Sequence, residues 1–172
     1  MKKKMGIAVA VVLLAVLAVP VLAIALQKGT DLPENGVELI DPVSPGFEEK
    51  MQESPEIAAE SAGISLKIPE GWAYETEESG IAFWPAGQSG KIAVRYEPMF
   101  GVCGTGLSEK GISLGAYPAR QGTYDNRAVW DFIVIQCDAA EGYYVVLNEG
   151  IDAWWNAFGG EAMRILETLA IE

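Results

Sequence analysis

Two cysteines and no histidine bound the chemistry open to this 172-residue chain. Cys103 and Cys137 are its only thiols, and a thiolate nucleophile needs a neighbouring base or cation to be active at neutral pH. Without histidine the Cys-His and Ser-His-Asp arrangements drop out, together with the common zinc sites. A pair with nothing left over reads most simply as a disulfide, provided that the chain works outside the cytoplasm. Closing the 34 residues that separate the two positions would stabilise the fold by about 3 to 4 kcal/mol in the chain-entropy model. It would also pin the loop Phe100-Gly101-Val102-Cys103-Gly104-Thr105-Gly106 to a strand. Free thiols and intermolecular pairing are the other arrangements.

The remaining candidates are weaker. Gly101, Gly104 and Gly106 are spaced like a phosphate-cradling loop, but no Gly-Lys-Ser/Thr follows them, so they read as a tight turn needing positive φ. Glu77 and Glu78 are neighbours at a strand end, where their side chains point apart, which suits a solvated turn better than a glycosidase pair. Asp125, Asn126 and Asp131 offer oxygen ligands for calcium without the EF-hand spacing; Asp125-Asn126 is expected to be a hairpin turn. No metal and no cofactor is expected. Of the five tryptophans, Trp72, Trp84, Trp130, Trp154 and Trp155, most fall at core spacings, although together they could line a groove. Successive helical residues differ by about 100° in direction, so one of Trp154 and Trp155 should lie near the edge of a buried stripe; this pair is the candidate binding surface.

The elements that must position these residues are legible in part. Ile64-Ser65-Leu66-Lys67-Ile68 alternates as a half-buried strand and is turned by Pro69-Glu70-Gly71. Residues 72–76 and 81–84 read as a hairpin, and residues 91–97 as a strand with Ile92, Val94 and Tyr96 on one face. Residues 128–137 form the longest strand candidate, apolar on both faces and expected in the sheet interior with residues 143–148 as antiparallel neighbour. The period then becomes helical: Ile151, Trp154, Trp155, Phe158, Ala162, Ile165, Leu166 and Leu169 share one stripe. Gly159-Gly160 should split or kink this helix, Asn148 should cap it, and residues 169–171 should leave it as a last strand. The expected fold is therefore α+β, a single domain with a twisted antiparallel β-sheet and a C-terminal helical layer over residues 63–172.

What precedes that domain sets its compartment. Lys2, Lys3 and Lys4 lead into 22 uncharged, mostly apolar residues from Met5 to Leu26. The run is long enough for a membrane span, which takes roughly 20 residues, and it also ends in Ala23-Ile24-Ala25, a small-x-small pair suited to signal cleavage. Residues 1–26 are thus a signal-anchor or a signal peptide. Retention puts the C-terminal domain outside a single-pass anchor, and cleavage near Ala25 secretes it. Residues 27–62 carry Pro33, Pro42, Pro45 and Pro55 among many acids and read as a largely disordered tether, with short helical turns possible at 47–51 and 56–62. The net charge is −12, and leaving out the three leading lysines takes it to −15. Such a surface repels nucleic acid, so no nucleic-acid partner is expected.

ISLKIPEGW at residues 64–72 and EAMRILETLAI at residues 161–171 resemble the opening strand-turn and closing helix-strand of the PsbP-like family. The resemblance implies a twisted antiparallel sheet flanked by helices, an α/β/α sandwich, in proteins that bind partners at membranes or assist assembly. It implies no catalytic site. The function expected from these features is an extracytoplasmic, membrane-tethered, non-catalytic binding or assembly module whose partner is a protein or other cell-envelope component. The alternatives are a small envelope hydrolase using carboxylates and a calcium-binding domain.

Overall fold

The computed structural model describes residues 43–135 and 142–172. These form an α+β domain with one seven-stranded antiparallel sheet and a smaller three-stranded one. The chain enters through α1 (Phe47–Glu53) and β1 (Glu56–Ala59), then pairs β1 with β2 (Ile64–Lys67). A meander of β3 (Trp72–Glu77), β4 (Gly80–Pro85) and β5 (Lys91–Glu97) follows, and β6 (Leu107–Leu114) and β7 (Tyr117–Tyr124) make a long hairpin. After β8 (Phe132–Ile135) and β9 (Tyr143–Glu149), a 3-10 turn at Ile151–Ala153 leads into α2 (Trp155–Leu166) and β10 (Ala170–Ile171). The large sheet has the order β3-β4-β5-β9-β8-β7-β6, and β10 joins β2 in the small one.

Strand alternation decides which face is buried. Ile81, Phe83, Ile92, Val94, Ile133, Ile135 and Val146 point to one side and share a single core with Trp154, Trp155, Ala162, Ile165 and Leu166 of the helical layer and with Ile64 and Leu66 of the small sheet. The buried residues of the opposite face, Ala82, Ala93, Phe132, Val134 and Val145, stand outside that core. Phe132 lies so close over Gly122 that a methyl group there would run into the ring, and Phe100 packs its edge on Phe132 at 5.5 Å between centroids.

Several sequence expectations need correction. Residues 43–62, assigned to a disordered tether, are folded: Phe47 and Met51 are buried in the core, and Arg164 of α2 holds Glu48 of α1 at 3.1 Å. Burying two such side chains gains about 1.5 to 3 kcal/mol each, which the composition of the segment as a whole conceals. Of residues 56–62, read as a helical turn, 56–59 are a strand because pairing with β2 overrides the helix preference of Glu and Ala, while Glu60–Ala62 do form a 3-10 turn. The strand expected over residues 128–137 begins only at Phe132. Asp125 and Asn126 both take φ of 53°, turning the chain, and Val129 and Trp130 fold into the core before the ladder resumes. The α2 helix runs through Gly159-Gly160 without a break. The hairpin of β6 and β7 leaves no clean alternation in the sequence, since Gly111, Gly122, Pro118 and a high polar content mask its period.

Candidate functional site

The open face of the large sheet carries a cleft. Alternation along β3, β4, β5 and β9 brings Glu75, Glu77, Trp84, Lys91, Arg95 and Glu149 to this side, around the buried Ala82 and Ala93. Glu75, Trp84, Gln88, Gly90, Lys91 and Glu149 line a cleft of about 380 Å³. Small alanines in the central strands leave room for the long charged side chains of their neighbours.

Those charges are arranged as a lattice. Lys91 is hydrogen-bonded to Glu75 and lies 3.8 Å from both Glu77 and Glu149. Arg95 reaches Glu149 at 3.1 Å and Glu77 at 3.5 Å. The Lys91 ammonium is held above its ordinary range chiefly by the hydrogen bond to Glu75; partial burial opposes this, and the charges of Glu75, Glu149 and Glu77 add to it. Here all three glutamates are paired with Lys91 or Arg95, so the cleft holds its polar groups in fixed orientations.

Trp84 sets the cleft apart. Trp72, Trp130, Trp154 and Trp155 are all buried and in ring contact with other aromatics, whereas Trp84 is half-buried and touches no aromatic ring among the described residues. The candidate surface at Trp154 and Trp155 is therefore overturned: the two are 2 % and 3 % exposed. The stripe is wider than its helical spacing suggests, because Trp154 sits at the joint between the 3-10 turn and α2 and faces Trp72, while Trp155 meets Trp130 edge-on at 5.6 Å. Trp84 carried a usable signal, since it shares a strand face with Ala82 on the side opposite Ile81 and Phe83.

The other sequence candidates resolve as follows. Cys103 is an exposed free thiol among the described residues, and Cys137, its expected disulfide partner, lies outside them. Cys103 sits near the start of β8, its carbonyl accepting a hydrogen bond from Tyr124 Oη at 3.3 Å, with Tyr124 beside Phe132. Gly104 and Gly106 take φ of 145° and 88°, as a tight turn requires. Asp131 is occupied by the Tyr124 N–H at 2.7 Å and by Arg127, which also holds Asp152 through both carboxylate oxygens at 2.6 Å. Asn148 accepts from the N–H groups of Gly150 and Ile151 at 3.0 Å, anchoring the 3-10 turn that leads into α2. Among the described residues no three metal-ligating side chains converge, and no helix is long and apolar enough to cross a membrane; the apolar run at residues 5–26 is not among them. No family model matches the chain, and no curated protein matches it in sequence.

Proposed function

We propose that this protein is an extracytoplasmic, membrane-tethered, non-catalytic binding module that meets a cell-envelope partner through the Trp84 cleft. The observation that carries the reading is the single half-buried tryptophan in an open cleft of about 380 Å³, flanked by Gln88 and by charged groups fixed in an ion-pair lattice. An aromatic wall beside oriented polar groups is the usual chemistry of a recognition surface. The lysine-led apolar segment and the acidic body support the extracytoplasmic part of this reading. The resemblance to PsbP-like proteins at residues 64–72 and 161–171 supports the same reading.

The test is a pull-down from native membranes with the full chain as bait, run in parallel with Trp84→Ala. A partner held by the wild type and lost by the variant is the expected result. Equal capture by both moves the site elsewhere, and no capture by either ends the binding reading. Sequencing the mature N-terminus checks the tether, since a protein beginning at Leu26 or Gln27 has no membrane anchor of its own.

A further inference from the structure

A second, independent pocket lies where α1, the turn before β3 and α2 meet. Its volume is about 200 Å³, and Phe47, Trp72 and Phe158 form its apolar wall, with Lys50 and Glu70 also lining it. Glu161 lines it too and is only 5 % exposed. One carboxylate oxygen accepts the backbone N–H of Ser44 and the other the indole N–H of Trp72, both at 3.2 Å.

Two neutral donors do not balance a buried charge. Glu161 forms no ion pair among the described residues, and the nearest arginine in sequence, Arg164, is engaged with Glu48 and Glu167. A buried carboxylate without a counter-ion is costly, and a glutamine in its place could accept from only one of Ser44 and Trp72, its amide N–H2 facing the other donor. Each carboxylate oxygen keeps acceptor capacity beyond its one bond. The rings of Trp72 and Phe158 stand perpendicular at 6.4 Å between centroids, and aromatic walls attract cations through their negative faces. A pocket below the roughly 300 to 1,000 Å³ of drug-sized sites suits a head group rather than a large ligand.

We infer that this pocket binds a small alkylammonium head group, with Glu161 as its counter-charge and Trp72, Phe158 and Phe47 as its wall. Lys50 lines the same pocket and makes no ion pair among the described residues, so it is the chain's own competing ammonium. The inference does not depend on the Trp84 cleft.

The full-length protein in a non-ionic detergent, with its indole nitrogens labelled, is titrated with n-butylammonium chloride against sodium chloride at equal ionic strength. The readout is the Trp72 indole N–H resonance, assigned with Trp72→Phe. A saturable shift in roughly the millimolar range is expected, as befits so small a ligand. Glu161→Gln should weaken it by about tenfold or more, and Lys50→Met should tighten it several-fold. A Trp72 resonance that responds no differently to butylammonium than to sodium, while the other indoles stay native, overturns the proposal. So does an unchanged affinity in folded Glu161→Gln. Should that variant not fold, Lys50→Met decides alone, and an affinity equal to wild type overturns the proposal.

Discussion

A side-chain carbon placed on Gly159 would lie 2.8 Å from Cε2 and 2.9 Å from Cδ2 of Trp155, because the indole rests directly on the helix backbone one turn later. Trp155 has no room to swing away, being buried with its ring edge-on to Trp130. Helix propensity alone makes Gly→Ala favourable by about 1 kcal/mol, whereas overpacking a filled core costs typically 1 to 3. The clash should win. Gly159→Ala is expected to lower Tm by roughly 2 to 6 °C, measured by circular dichroism; a higher Tm would mean that the indole is free to move.

The lattice around Lys91 predicts a pH dependence. Its ammonium is held above the ordinary value of 10.5 in the folded protein, first by the hydrogen bond to Glu75. The stability contributed is therefore complete below 10.5 and is lost as pH rises through the higher folded value. Melting curves at about pH 9 and about pH 11 should show a larger loss for wild type than for Lys91→Met, by only some tenths of a kcal/mol because the pairs are partly solvated. Equal losses in the two proteins would remove Lys91 from the account.

An exposed Cys103 should react as one. In the unreduced native protein it is expected to take up a maleimide fully, and Cys103→Ser should change stability by less than about 0.5 kcal/mol. A protected Cys103 together with a loss of about 3 to 4 kcal/mol in the variant would restore the disulfide with Cys137.

The elements that were legible are those whose apolar period is clean. Strands β2 to β5 and β9, the helical stripe and the last short strand all stand where alternation or helical spacing puts them. What failed did so for local reasons. Residues 128–131 are as apolar as a strand, yet two left-handed residues at Asp125 and Asn126 and the Arg127 clamp send Val129 and Trp130 inward instead. The β6 and β7 hairpin sits at the sheet edge, where less burial is demanded and the pattern blurs. For the site, tryptophan spacing pointed to Trp154 and Trp155 because a helical wheel says nothing about what else packs against it. Glu161 went unremarked as a site residue, although a charge set three residues after Phe158 and four before Ile165, on the apolar stripe, was itself a signal.

The order of the large sheet has a bearing on how this chain becomes a protein at all. The β5 and β9 ladder joins residues 91–97 to residues 143–149, and β2 finds β10 only at Ala170 and Ile171. A chain emerging N-terminus first can form the local β3 to β5 meander and lay Ile64 and Leu66 against it, but Trp154, Trp155, Ile165 and Leu166 of the same core come only with the C-terminal layer. Completion is thus reserved for the last thirty or so residues. Until β9 has joined β5, the two halves of the large sheet are separate ladders, so the sheet closes only from the C-terminal end of the chain.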